Sequence, residues 1–338
     1  MYEMFANIMI SHRFSENDGW LTTPFLYDHE LSDKPSEFEI FMALEGYEYQ
    51  YGFVVTSEKI HEEWLHRRKL SKNETKWSPI FEREEDNIQF NGKAYEKLTD
   101  FADIIGEKTL VLSFLGNQSK KTAMIFKDIY NWIVTVFRWN VDESDTEEWA
   151  HFYMNYDGLK DAFLDFLNEF DPLVEDIIVE EEMDRDGKML LRVFTVHNAL
   201  KVPLEIESEG TQKLFKLYVA IFVCLKLAPS VLIYDELDSQ IHPLILRRIV
   251  GMFHDKEMNE MGSQLIFTSH NLIVLDNREL RRDEIWFVEK DERGFTTAYS
   301  LDSFKSTEKE IRSDMSYGKH YLAGRFGAIP YANPGGGV

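Results

Sequence analysis

Two adjacent carboxylates, Asp235 and Glu236, close the apolar run Val231 to Tyr234 in the stretch VLIYDELDSQIHP. An apolar strand ending this way sets both groups at the carboxyl edge of a sheet, where α/β folds bind ligands. Mg2+ takes oxygen ligands and keeps several waters, so Asp235 has the chemistry to hold it directly or through water. Glu236 beside it has the chemistry to orient and deprotonate a water for in-line attack on a γ-phosphate. A strand followed by an acidic helix cap accounts for the same two residues.

Two further stretches bear on that choice. SEGTQ, Ser208 to Gln212, sits at a strand-to-helix junction, with a helix opening near Thr211. A hydroxyl, a glycine and free backbone N–H groups at a helix N-terminus suit an anion; the same residues also make an ordinary N-cap and turn. FTSHN places His270 at the end of the strand that follows the Asp-Glu strand. A histidine there can donate to a phosphate oxygen, although a lone histidine is commonly structural.

Order and spacing join these signals: turn, helix, Asp-Glu strand, helix, then a strand ending in histidine. With ESEGTQKLF (Glu207 to Phe215), VLIYDELDSQIHP (Val231 to Pro243), QLIFTSHN (Gln264 to Asn271), RRDEIWFVEK (Arg281 to Lys290) and YLAGRFGAIPY (Tyr321 to Tyr331), the chain resembles the ABC-like ATPases of the AAA family. These are relatives of the SMC and overcoming-lysogenization-defect proteins of bacterial phage-defence operons. The resemblance extends through TTPFLYD (Thr22 to Asp28) and a tyrosine-rich hairpin, and so spans nearly the whole chain. It implies an α/β fold: an ABC-type ATPase head with a mixed sheet, an antiparallel β subdomain and a helical insertion. By position, Asp235 resembles the Walker B aspartate on Mg2+, Glu236 the general base and His270 the switch histidine on the γ-phosphate. Asp238 falls where the D-loop begins, between two nucleotide sites, and Ser208 and Gly210 match signature residues that reach the ATP of the opposite subunit. The implied assembly is a two-fold homodimer with composite ATP sites, with a separately encoded effector as a further partner.

Such a site needs a glycine-rich phosphate loop, G-x-x-x-x-G-K-[ST], whose glycines let backbone N–H groups approach the phosphates. No stretch of the 338 residues has that pattern. The nearest, LGNQSKKT (Leu115 to Thr122), offers Lys121 and Thr122 but puts Leu115 and Lys120 where glycines belong, and it reads as a polar loop between helices. In the family the loop opens a helix whose later turns look like YEMFANIMISHRF. Met1 therefore resembles an internal methionine, and the expectation is a truncated or split gene whose first strand and phosphate loop are absent here. This polypeptide alone is then expected to bind ATP poorly.

The elements that must position these residues follow from periodicity. Residues 1–13 read as the tail of an amphipathic helix with Met1, Phe5, Ile8 and Met9 on one side. Phe38 to Val55 alternates around Glu45-Gly46, a hairpin signature, and Asn87 to Phe90 is a short strand turned at Asn91-Gly92. From Tyr95 to Phe170 the pattern is mostly helical, with Trp132, Val136 and Phe137 at helical spacing and an acidic link, Val141 to Trp149. Strands are expected at Ile177 to Glu182, Met189 to His197 and Lys201 to Ile206, with a turn at Asp184 to Gly187. A helix Thr211 to Ala228, strand Val231 to Tyr234, helix Pro243 to Phe253, strand Gln264 to His270 and strand Glu284 to Glu289 then alternate. That alternation implies a largely parallel sheet covered on both faces. The expected organisation is an N-terminal part of the head over 1–94, a helical insertion over 95–175, a C-terminal part over 176–331 and a tail over 332–338.

Bulk properties narrow the setting. With 37 basic and 60 acidic residues the net charge is −23, which repels phosphate backbones. No long Lys/Arg run marks a local basic groove, so nucleic acid is not indicated as a partner. The single cysteine, Cys224, lies in an apolar helical pattern, expected to be buried and inert, and fits a reducing cytoplasm. No run reaches the ~18 apolar residues of a membrane span, and no basic leader precedes the first apolar residues. Two functions compete: an ATP-hydrolysing component of a defence or toxin-type system, and a non-catalytic partner-binding module derived from one. Retention of Asp235, Glu236 and His270 together favours the first. A DNA-end or structural-maintenance ATPase predicts sustained heptads, which are lacking.

Overall fold

The computed structural model describes residues 24–71, 76–118, 123–138, 146–183, 187, 189–275, 279–304 and 316–329. The expected N-terminal helix, the turn residues 184–186 and the tail fall outside them. The chain divides into two compact units, Met1–Val136 and Phe137–Val338. The fold is mixed α/β, with antiparallel and parallel sheets. No helix among the described residues is long and apolar enough to cross a membrane.

The first unit is built on a five-stranded antiparallel meander, β1 (Ser36–Leu44), β2 (Tyr47–Val55), β3 (Ile60–Lys69), β4 (Ser78–Glu84) and β5 (Asn87–Phe90). The expected hairpin forms with Leu44 opposite Tyr47. Its two-residue turn, Glu45 (φ 49°) and Gly46 (φ 79°), has the two positive φ angles that match strand twist. Alternation buries Phe38, Met42, Tyr49, Tyr51, Phe53 and Val55 on one face. Helices α1 (Val111–Gly116) and α2 (Met124–Val136) follow, and Phe126 of α2 packs on Phe81 with ring centroids 5.8 Å apart.

Beneath that sheet lies a fully buried acid. Glu63 takes the N–H groups of Val111 (2.6 Å) and Leu112 (3.0 Å), the first turn of α1, and the Tyr51 hydroxyl at 3.0 Å. Burial pushes its carboxyl up to about 7, against the pull of those donors and the Arg83 charge.

Among its described residues the second unit holds three sheets. Strand β10 (Val231–Tyr234) pairs in parallel with β11 (Gln264–Phe267), Tyr234 opposite Phe267, and with the two-residue β6 (Phe137–Arg138). Phe137 thus leaves the helix in which the sequence placed it. The run Ile133–Val136 is wholly β-branched, stiff at χ1 and poor in helix propensity, which favours the switch to an extended chain.

Strands β7 (Asp176–Met183), β8 (Met189–His197) and β9 (Leu200–Pro203) form an antiparallel sheet. β9 stops short of the expected Ile206 because Pro203 removes a donor, and a 3-10 turn, Leu204–Ile206, replaces its end. Helices α3 (Thr146–Asn155), α4 (Leu159–Asn168) and α5 (Glu209–Phe222) share a core in which Tyr153 stacks on Phe215 at 4.2 Å and donates to the Phe215 carbonyl at 2.7 Å. After α5 the chain takes one π turn, Val223–Leu227, which buries Cys224 completely.

The sheet is less parallel than expected. Strand β12 (Trp286–Lys290) does not extend it but pairs antiparallel with β13 (Thr296–Ser300) across a turn at Asp291–Gly294. A parallel crossover needs a dozen or more residues, usually a helix. The segment after β11 has only the 3-10 turns Leu272–Val274 and Arg282–Glu284 among its described residues. On this hairpin folds a short helix, Tyr317–Leu322, with Phe287 stacked on Tyr321 at 5.6 Å and on Phe326 at 5.5 Å. The Tyr321–Tyr331 stretch is thus packing as far as it is described.

Candidate active site

The carboxyl ends of β10 and β11 are sewn together by one residue. Thr268, the residue after β11, donates its N–H to the Tyr234 carbonyl (3.1 Å) and accepts from the Leu237 N–H at its own carbonyl (3.1 Å). Its hydroxyl accepts the Glu236 N–H at 2.7 Å and donates to Asp235 Oδ1 at 2.5 Å. Asp235 and Glu236 therefore leave the strand in fixed directions, toward solvent. Glu236 holds φ 51°, a left-handed conformation that non-glycine residues keep where neighbours enforce it.

His270 reaches the same edge. Its Nε2 stands 3.9 Å from Glu236 Oε1, with the two side chains 89% and 61% exposed. The His270 N–H donates to Asp238 Oδ1 at 3.3 Å, so Asp238 braces the loop that carries the histidine. β11 ends three residues earlier than the sequence suggested, because after Thr268 the chain turns, with the Asn271 N–H donating to Ser269 Oγ at 2.9 Å. Asp235, Glu236, Asp238 and His270 are thereby brought to one open sheet edge.

Ser208 and Gly210 flank that edge. Helix α5 starts at Glu209, two residues before the expected Thr211, because Ser208 caps it by accepting the Thr211 N–H at 3.2 Å. Gly210 is needed for close approach: a Cβ there would lie 2.7 Å from the Gln240 carbonyl oxygen. Behind the turn, Glu207 is held by His197 (2.7 Å) and the Thr195 hydroxyl, which ties the start of α5 to β8. From α5, Lys213 reaches the carbonyls of Ser239 (2.7 Å), Leu237 (3.3 Å) and Glu236 (3.4 Å).

Residue types and spacing assign no role to Thr268, Lys213 or Gln240. The threonine was detectable in principle, since a hydroxyl one residue beyond a strand parallel to VLIY falls level with Asp235. The other two were not, because Lys213 meets backbone carbonyls and Gln240 meets Glu209 only once the segments have come together. In LGNQSKKT the described part, Leu115–Gln118, closes α1, and a Cβ on Gly116 would meet Tyr130 at 2.5 Å. That stretch follows a helix instead of a strand, as the sequence reading had it; Lys121 and Thr122 lie outside the described residues.

The donor set suits a hard, water-keeping cation. Among the described residues no cluster of three or more His, Cys, Asp or Glu is arranged to hold a metal alone. Mg2+ in phosphate sites asks for less, commonly one or two carboxylates with waters and phosphate oxygens. The exposed Asp235, with one oxygen anchored by Thr268, meets that requirement.

Over residues 8–276 the sequence matches the family described as "AAA domain, putative AbiEii toxin, Type IV TA system". No curated protein matches the chain. Solved structures similar to it include the Smc head domain of Pyrococcus furiosus with an extended coiled coil, bound to the C-terminal domain of ScpA. That match has 10% identity and a TM-score of 0.36, covering 89% of this chain and 87% of that one. The SMC head domain from Thermotoga maritima has 14% identity and a TM-score of 0.32, covering 76% of this chain and 74% of that one.

Proposed function

The chain belongs to this family of AAA ATPase domains, and from that premise we propose that it binds ATP and hydrolyses it at the carboxyl edge of β10 and β11. The observation that carries the proposal is the facing of Glu236 and His270 at 3.9 Å beside an Asp235 pinned by Thr268. Asp235 would hold Mg2+, which would neutralise charge on the phosphates. Glu236 orients the attacking water and takes its proton, and His270 donates to the γ-phosphate. Ser208 and Gly210 face the nucleotide of a second copy, and Asp238 lies between the two sites of a homodimer. Support for the composite arrangement is the exposure of Ser208, Asp235, Glu236 and His270, which leaves the site uncovered on this chain.

The 338 residues contain no G-x-x-x-x-G-K-[ST], so within this proposal the phosphate cradle comes from polypeptide outside them. The AbiEii-type description of the family supports a toxin or phage-defence role, with hydrolysis driving or licensing an effector. A buried single cysteine supports a reducing cytoplasm. The missing cradle favours one second reading, a partner-binding module that never hydrolyses. Phosphate release from ATP by the purified protein together with the polypeptide proposed to supply its phosphate cradle, with and without Mg2+, separates the two. Mg2+-dependent release is expected, and none under any condition leaves the binding module.

A further inference from the structure

Lys213 occupies a position that the proposed chemistry does not use. It stands one turn past the Ser208–Gly210 junction, and its ammonium reaches into the loop after β10. There it meets the carbonyls of Glu236, Leu237 and Ser239, while lying 5.0 Å from the centroid of the Tyr234 ring. An ammonium donates and does not accept, so carbonyl oxygens suit it as partners. Those carbonyls belong to the turn that holds Glu236 at φ 51°.

The turn is thus gripped from two sides. Thr268 takes the Glu236 N–H, and Lys213 takes the Glu236 carbonyl. Two more ties join the start of α5 to the same loop: Gly210 abuts the Gln240 carbonyl, and Gln240 Nε2 donates to Glu209 Oε2 at 3.2 Å. Gln240 is itself left-handed, at φ 62°. Packed, hydrogen-bonded turns of this kind shift together and not independently.

We infer that Lys213 is a positioning residue that locks the Glu236–Gln240 loop to the start of α5, so that contact at Ser208 and Gly210 is transmitted to the Glu236 carboxylate. This rests on the assignment of Glu236 as the water-orienting group. In a dimer with composite sites, Ser208 and Gly210 touch the nucleotide of one site while Glu236 serves the other. Lys213 then makes hydrolysis at one site responsive to occupancy of its twin.

The test compares wild type with Lys213→Met, which keeps the stem but not the charge, and Lys213→Arg, which keeps the charge. Hydrogen exchange is followed in peptides spanning 232–241 and, as a folding control, 214–222. K213M is expected to speed exchange at Glu236 and Ser239 about tenfold with the control unchanged, and K213R to restore protection. Unchanged exchange in K213M overturns the inference. A Gly210→Ala methyl should also disturb the 236–240 amides in wild type and much less in K213M; equal disturbance in both contradicts transmission. In hydrolysis, K213M should lower kcat about tenfold at unchanged KM and K213R should recover it, whereas a change in KM alone counts against positioning. Exchange needs no turnover. A chain that hydrolyses nothing would refute the ATPase assignment and leave exchange to decide the clamp.

Discussion

The Thr268 hydroxyl donates to the Asp235 carboxylate at 2.5 Å across the ends of two parallel strands. This bond holds one oxygen of the carboxylate, and the same hydroxyl accepts the Glu236 N–H. Thr268→Val keeps the shape, removes the donor and leaves that N–H unpaired. Loss of such an orienting partner costs roughly 10–100-fold in metal affinity or activity. The Mg2+ concentration for half-maximal hydrolysis should therefore rise about tenfold or more in T268V and return with Thr268→Ser. An unchanged Mg2+ requirement would separate Thr268 from the metal.

Gly210 should resist even one methyl group. Its notional Cβ lies 2.7 Å from a backbone oxygen, that of Gln240, so the loop or the helix start must move. Overpacking of this kind costs about 1–3 kcal/mol. Urea unfolding of Gly210→Ala should show that loss, whereas Gly251→Ala, where nothing lies within 4 Å, should show none. Equal midpoints would mean that the turn yields freely.

Glu63 predicts a pH dependence of stability. Its carboxyl is pushed from 4.5 to about 7 by burial. Between those values the unfolded chain has released the proton that the folded chain retains, so stability falls as pH rises, and it levels off above about 7. The span corresponds to about 3 kcal/mol for this buried group. Subtracting the stability of Glu63→Gln from that of wild type at pH 4, 5.5 and 8 should give a difference that falls across the series. A flat difference would show that Glu63 titrates alike in both states.

The C-terminal packing gives a stability test remote from the site. Phe326 is 3% exposed and stacks on Phe287. Truncating such a ring costs about 3–5 kcal/mol, so Phe326→Ala should expose the β12–β13 amides to hydrogen exchange. Unaltered protection of that hairpin would show that it holds without its cover.

What was legible in the sequence is what repeats or punctuates. The hairpin at Glu45-Gly46 and the strand VLIY announced themselves by alternation, turn residues and apolar runs, and both form where expected. β13 escaped notice because TTAYS is polar and half exposed, with no apolar signal. β6 escaped because two residues carry no periodicity, and only Val231 and Leu232 opposite them make the pair a strand. At the site, the ionisable residues were visible as types in a pattern. The hydroxyl and ammonium that hold them were not, because Thr268 and Lys213 act through chain segments that meet only after folding.

Substitution of Glu236 by glutamine tests the central claim most directly. Gln keeps the size and hydrogen-bonding reach of the side chain and removes the base, and general-base catalysis contributes roughly 10²–10⁴-fold. Steady-state ATP hydrolysis by E236Q, measured on the protein together with the polypeptide proposed to supply its phosphate cradle, should fall at least about a hundredfold with nucleotide binding retained. Wild-type hydrolysis that persists undiminished in E236Q would contradict the account.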